Sequence, residues 1–445
     1  MKKKSKPSLL VGFARVDITP AESLPMGGYI ARKGVATGAH DPLYAKAVAF
    51  RYGETAAILL SLDILCVSAE WARHVRQMIS EKLGLPAENI LIAATHTHSG
   101  PGVFFPIRWR NEQFEKYEMR LAAACIESAE KSFVTAEPAR VRIRSLRSTG
   151  IGSNRRHPLG DSFVNLSIIR IEGRSGKVKG HLVSFPCHPT VMPAENLQYS
   201  ADLFGAGAGE VEKRFRGSLC MIFNGTAADI STRFTRWDQT WPEVARLGQH
   251  LASYILKGSR DAKPVREGPV SAIASSLRFA FREIIPVERA QKEFDEIRTR
   301  IEVSAARQDA DVNPFSSKSL LEGASAQLAL SQIGSWEPLF ATYTANVEIA
   351  VIRIGSIIVC GLPGEFFMQR GIDLKRAASP KSVFIVGYAN GYSGYFVPPT
   401  EIDFGGYEAL MSPLEPKAEP EIIGAAKTLI HAVKKPRRRE AKNVS

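Results

Sequence analysis

The sequence predicts an α/β fold in which helices pack on a largely buried, mixed β-sheet. Three observations carry this expectation. Short runs rich in Ile, Val and Leu recur along the chain, stretches with a 3.6-residue period lie between them, and the 445 residues are 44% hydrophobic and 23% charged, as in ordinary globular proteins. The strand-like runs are residues 56–63, 90–94, 141–143, 166–171, 180–185, 218–223, 347–354, 356–362 and 382–386. Several end at Gly, Pro or Asn, which cannot continue a ladder cheaply. The helix-like stretches are 70–83, 113–133, 206–216 and 242–256. Residues 287–331 read as two charged helical stretches broken near Asn313-Pro314-Phe315, which suggests a helical hairpin or a lid. No repeat and no linker divides the chain. The expected organisation is one catalytic-type domain over residues 8–430 with basic tails at 1–7 and 431–445. A core of that size needs no disulfide or metal staple.

The formal net charge is +13, but Lys2, Lys3, Lys4 and Lys6 supply four of it at one end. Lys434, Lys435, Arg437, Arg438, Arg439 and Lys442, less Glu440, supply five at the other, leaving +4 for the body. No aromatic residues are interleaved to stack bases, so nucleic acid is not an expected partner. Such runs suit solvated tails, with weak contact to an anionic membrane surface as their one further use. The basic start leads through too brief an apolar stretch into Asp17-Ile18-Thr19-Pro20 to read as a signal peptide. Apolar runs fall short of the ~18 residues a membrane helix needs. Five widely spaced cysteines with no C-x-x-C pair fit neither a disulfide framework nor a zinc ribbon. The expectation is a soluble, cytoplasmic protein.

Chemistry concentrates where strands run into loops. After the run 90–94 comes Thr95-His96-Thr97-His98-Ser99-Gly100-Pro101-Gly102. Two histidines at i and i+2 on extended backbone project to one side, where they can hold a metal, or one can bind metal while the other meets substrate. Two hydrogen-bonded structural histidines fit the pattern as well. His188 follows the run 180–185 in Phe185-Pro186-Cys187-His188-Pro189, with Cys187 expected to point away from it. Glu365 follows the run 356–362 in Gly361-Leu362-Pro363-Gly364-Glu365, as a ligand or as a helix cap. Two histidines and a carboxylate are a recurrent catalytic zinc set with one position open for water. The segment Tyr388-Ala389-Asn390-Gly391-Tyr392-Ser393-Gly394-Tyr395, followed by Tyr407-Glu408, offers phenols that can donate to an oxyanion, ligate a metal or simply pack.

Taken together, these segments resemble the amino-terminal catalytic domain of the neutral/alkaline non-lysosomal ceramidase family. The resemblance rests on Asp17-Ile18-Thr19-Pro20, Met26-Gly27-Gly28-Tyr29, the Thr95–Gly102 string, Asn154-Arg155, His188-Pro189-Thr190, Pro363-Gly364-Glu365-Phe366 and Asn390-x-Tyr392-x-x-Tyr395 with Tyr407-Glu408, in the family's order. It implies one zinc ion on His96, His188, Glu365 and Tyr395, with His98, Arg155 and Tyr407 facing the substrate amide. The 12-residue gap from Tyr395 to Tyr407 resembles the family's spacing and selects Tyr395 over Tyr392 as ligand. Where the ceramide-cleaving members have a serine beside the zinc, this chain has Gly225, within Asn224-Gly225-Thr226-Ala227-Ala228-Asp229-Ile230-Ser231-Thr232. That favours direct attack by water and leaves Asp229 as a structural residue or one that orients a metal ligand. The chain also ends without the family's carboxy-terminal β-sandwich, so the expectation is a trimmed, intracellular relative. The resemblance thus implies a zinc-dependent hydrolase of a lipid-like N-acyl amide, ceramide among them. The alternatives are a zinc esterase or amidase for a small polar substrate, and a catalytically weakened lipid-binding relative.

Overall fold

The computed structural model describes residues 7–104, 112–157, 163–306, 314–336, 345–379 and 382–433. The basic runs up to residue 6 and from residue 434 lie outside these, as does Asn313 at the expected hairpin break. A large mixed sheet contains β1 Leu9–Asp17, β2 Tyr44–Tyr52, β3 Thr55–Leu62, β4 Ile90–Ala94, β5 Glu137–Thr149, β6 Phe163–Gly173, β7 Val178–Phe185 and β8 Leu219–Asn224. Their order is β8-β7-β6-β5-β1-β2-β3-β4, with Lys263–Pro264 added beside β5. The two outer pairs, β3 with β4 and β7 with β8, are parallel, and the pairs between them are antiparallel. A second sheet is formed by β9 Val270–Arg278, β10 Asn346–Ile354, β11 Ile357–Gly361 and β12 Ser382–Val386 in that order, β11 and β12 being parallel.

The two sheets stack face to face, and helices cover both outer faces. Side-chain alternation along single strands assigns the layers. In β4, Leu91 and Ala93 join Leu59, Phe223, Val359, Phe384 and Val386 between the sheets. Ile90, Ile92 and Ala94 face outward onto α1 Ala69–Leu83 and α2 Glu112–Val134, through Val75, Ile79, Leu121 and Cys125. The other half of the large sheet packs Leu166, Ile168, Val183 and Phe185 against α3 Asp202–Arg214 and α4 Trp241–Arg260. The small sheet turns Ile349, Val351, Ile358 and Ile385 onto α7 Met368–Ala378 and α8 Ala418–Ala432. Strands buried on both faces need no polar alternation, which is why they read as continuous apolar runs. The expected buried mixed sheet is present, joined by a second sheet that apolar runs alone do not distinguish. The expected helical hairpin is α5 Val287–Ala306 packed on α6 Pro314–Ile333. No helix among the described residues is long and apolar enough to cross a membrane. All five cysteines are buried and free.

The seam between the sheets is stitched by the turn after β12. Ala94 N–H donates to the Tyr388 carbonyl, Asn390 N–H to the Ile92 carbonyl, and Gly387 N–H to the Asn224 carbonyl. A Cβ on Gly387 would lie 2.2 Å from the Gly225 carbonyl oxygen, so only glycine permits this approach. The strands β4, β7, β8, β11 and β12 therefore end together, and their following loops meet at one carboxyl edge.

Candidate active site

His96 and His98 leave β4, His188 leaves β7, and Glu365 and Tyr395 come from the small-sheet side, where residues 365–366 and 395–396 form a short parallel pair. The local backbone is strained where these groups meet. His96, Tyr388 and Asn390 hold positive φ at 65°, 54° and 57°, values that cost non-glycine residues of order 1–3 kcal/mol and that cluster at functional sites. His96 thus does not sit on extended backbone. A left-handed turn, rather than strand alternation, brings its ring to His98, Nε2 to Nε2 at 3.3 Å. Gly28, at φ 98°, makes the room: a Cβ there would lie 2.5 Å from His98 Cγ. The ring of Tyr29 then meets that of His98 edge-on at 4.9 Å.

Protons are assigned by the hydrogen bonds of the other ring nitrogens. His96 Nδ1 lies 2.8 Å from the Leu65 carbonyl oxygen, and His188 Nδ1 lies 2.9 Å from that of Ala227. Both Nδ1 atoms donate, so in the neutral imidazoles both Nε2 atoms present lone pairs. They point at the Glu365 carboxylate, at 3.6 Å from Oε1 and 3.0 Å from Oε2. Burial drives His96 down to a pKa of about 4, so it does not carry the proton that would bridge the gap. His188 Nε2 has no hydrogen-bond partner. Burial opposes charge on Glu365, and the hydroxyl of Tyr392 donates to the carboxylate against it. Two lone pairs and a carboxylate converging in a buried space repel one another unless a cation lies among them. The donor set is that of a divalent ion: imidazole nitrogens and carboxylate oxygen, oriented by backbone carbonyls behind the rings. The ligand nitrogens of His96, His98 and His188 lie within 4.8 Å of one another.

The tyrosines divide around Glu365. Tyr392 donates to Oε1 at 2.6 Å and Tyr388 to Oε2 at 3.3 Å. Tyr395 pairs with Glu365 through backbone register, and its hydroxyl accepts from Arg155 Nη2 at 3.1 Å. Burial and then Glu365 push the Tyr395 phenol well above its ordinary pKa. Burial likewise pushes His98 well below its ordinary value, with His96 and His188 adding to it, so this ring is neutral. Arg155 also donates to Glu408 at 2.8 Å, and Arg156 holds the second Glu408 oxygen at 2.6 Å. Tyr407 packs its ring across Tyr395 at 5.8 Å. His96, His98, Arg155, His188, Glu365, Tyr395 and Tyr407 are therefore all drawn to one place. Cys187 is not, since it packs in the core against Gly152 and Ile230.

The loop after β8 supports the site without entering the ion cluster. Its Ala227 and Ile230 carbonyls accept from His188 Nδ1. Asp229 accepts from Met368 N–H at 2.7 Å and Asn154 Nδ2 at 2.9 Å, and its own carbonyl accepts from Arg155 N–H. Sequence reasoning expected Asp229 as a structural residue or one that orients a metal ligand, and these contacts are structural. It did not single out Arg156, Arg233 or Arg236, whose positions in loops look like any solvated charge. Nor did it distinguish Tyr388 and Tyr392 as the carboxylate's partners.

A family model described as neutral/alkaline non-lysosomal ceramidase, N-terminal, matches residues 9–157, the span that contains His96, His98 and Arg155. Over that span the chain is similar to the neutral/alkaline non-lysosomal ceramidase family. It is 23% identical to a neutral ceramidase of Pseudomonas aeruginosa over 463 residues, covering 89% of this chain and 68% of that protein. It is 24% identical to a neutral ceramidase of Mycobacterium tuberculosis, covering 88% and 72%. The crystal structure of neutral ceramidase from Pseudomonas aeruginosa superposes with a TM-score of 0.77 at 20% identity, covering 97% of this chain and 75% of that one. That ceramidase fold is shared across both sheets, so His188, Glu365 and Tyr395, outside the matched 9–157 span, sit on the same framework as His96.

Proposed function

We propose that this protein hydrolyses the C–N bond of an N-acyl amide with one zinc ion held by His96, His188, Glu365 and Tyr395. The observation that carries the reading is the convergence of the His96 and His188 Nε2 lone pairs on the Glu365 carboxylate, an arrangement that calls for a cation. When bound, such an ion supplies a Lewis acid for the carbonyl and activates water at neutral pH. His98, neutral and beside the cluster, donates to the carbonyl oxygen as negative charge develops there. Tyr407, which lines the same cavity and whose burial keeps its phenol protonated, is a second donor to that oxygen. Arg155 holds the Tyr395 oxygen in place while Glu408 balances its charge. With Gly225 at the position of the family's serine, water rather than a seryl oxygen attacks.

The similar proteins are named neutral ceramidases, so ceramide is the first substrate to test. Purified protein is assayed with a fluorogenic N-acylsphingosine before and after chelation, with zinc added back and metal content measured in parallel. Amide hydrolysis lost on chelation and restored by zinc supports the reading. Stoichiometric metal with no turnover of any amide class overturns it, in favour of a lipid-binding relative. Turnover of esters alone moves the assignment to the esterase alternative.

A further inference from the structure

The cavity beside His98 is small and polar. Its volume is about 280 Å³, and among the described residues that line it there is no Leu, Ile, Val, Phe or Met. Six of its sixteen lining residues carry a formal charge, so the wall is not one that rewards an alkyl chain. Each methylene of an alkyl chain would be rewarded in an apolar groove. Against charged groups it would instead strip their hydration at a cost. The volume also lies below the ~300–1,000 Å³ of common small-molecule pockets.

One lining cation is held by neutral groups. Arg236 Nη1 donates to the Thr190 carbonyl at 2.9 Å and to the Thr232 hydroxyl at 3.3 Å, and among the described residues it makes no ion pair. Arg155 and Arg156, by contrast, are matched by Glu408 and Glu401. Burial lowers the Arg236 pKa, the direction that an anionic guest would reverse. A second guanidinium, Arg32, packs over the Tyr29 ring with a buried Nη2 that has no partner. The lining thus carries three guanidiniums, Arg155, Arg233 and Arg236, beside the carboxylates of Glu195, Glu322 and Glu408, with Arg32 behind the Tyr29 ring, and partly buried guanidinium pairs best with a planar carboxylate.

Resting on the amidase reading above, we propose that the substrate is a compact N-acyl amino acid whose carboxylate is received by Arg236, rather than a two-chain sphingolipid amide. The oxygen of water bonds to the acyl carbon and the C–N bond breaks with its electron pair left on nitrogen. Nitrogen takes up a proton, and a carboxylic acid and a free amino acid are released.

The test uses the zinc-loaded full chain with short N-acyl amino acids, their carboxamide counterparts and a fluorogenic N-acylsphingosine. The acids should be turned over with kcat/KM at least about tenfold above the carboxamides. Arg236→Gln should raise KM for the acids about tenfold with kcat little changed, and leave the carboxamides alone. In the unaltered protein, a short dicarboxylate should inhibit competitively and its diamide should not, a readout independent of how well the variant folds. Hydrolysis of N-acylsphingosine without that of the acids would overturn this proposal while leaving the amidase reading intact. Failure of both classes with zinc bound would instead remove the amidase reading. Equal losses on acid and carboxamide in Arg236→Gln, with no inhibition by the dicarboxylate, would also overturn the anion assignment.

Discussion

His188 Nε2 lies 3.0 Å from Glu365 Oε2 while its Nδ1 donates to the Ala227 carbonyl, so the ring is held with Nε2 turned to the carboxylate. A cation resolves that contact, and its removal should be visible without any substrate. The purified protein is expected to hold one divalent ion per chain, and His188→Ala to hold almost none by elemental analysis. Because the ion binds the folded state alone, a hundredfold excess over its Kd should add about 2.7 kcal/mol to unfolding in urea. His188→Ala should lose that increment. Full metal content in this variant would reject the ligand assignment.

Gly28 controls whether His98 can sit beside the cluster. At φ 98° any side chain is strained, and a Cβ would fall 2.5 Å from His98 Cγ. Gly28→Ala should therefore push the His98 ring aside. A displacement near 1 Å costs about 10²-fold in turnover when a group must meet the developing charge. Zinc content should remain at one per chain, since His96, His188 and Glu365 are untouched. Loss of zinc in Gly28→Ala would make His98 a ligand instead of a substrate-facing donor.

What was legible in the sequence follows from the physics of each signal. Strands such as β4 and β12 were read to the residue because burial on both faces makes them continuously apolar. β2 escaped because Ala45, Ala47 and Ala49 lie on its helix-facing side, and alanine favours strands poorly. β9 escaped because Ser271, Ser275 and Ser276 interrupt its short apolar residues, leaving no continuous apolar run. Stacking of two sheets leaves no sequence trace, since an apolar strand looks the same under a sheet as under a helix. At the site, His96 and His98 were found as a pair, yet the extended backbone assumed for them is a left-handed turn at His96. The choice of Tyr395 over Tyr392 rested on the family's spacing. The hydrogen bonds put Tyr392 on Glu365 and Tyr395 on Arg155, a division that spacing does not encode.

Asp229 joins three segments, and its removal should separate stability from metal binding. Asp229→Ala leaves the Met368 N–H and the Asn154 side-chain amide without their acceptors. Each unsatisfied group costs about 1–3 kcal/mol, so unfolding should become easier by about 2–6 kcal/mol. The turn that carries Arg155 would also lose its anchor. Turnover should fall while zinc content stays near one, measured by urea titration, steady-state kinetics and elemental analysis on the same preparation. An unchanged urea midpoint would show that these hydrogen bonds contribute nothing net.

His181 gives a pH dependence located away from the ion. It is fully buried on β7, with Nε2 on the Ser259 hydroxyl and Nδ1 without a partner. Burial, then Arg170, lowers its pKa from 6.5 to about 4. The unfolded chain therefore takes up a proton as pH falls through about 6.5, while the folded chain resists until about 4. More protons on the unfolded state means stability falls with falling pH over that window and levels off below it. The shift corresponds to roughly 3 kcal/mol at 1.36 kcal/mol per pKa unit. His181→Gln, which keeps a partner for Ser259 and cannot titrate, should be flatter between pH 6.5 and 4 by about that amount. The other buried histidines, His96 and His98, still contribute their own slope in both proteins. Urea unfolding of the two proteins at pH 7, 5.5 and 4.5 makes the comparison. Parallel curves would mean that His181 charges freely in the folded state and that its burial imposes no penalty.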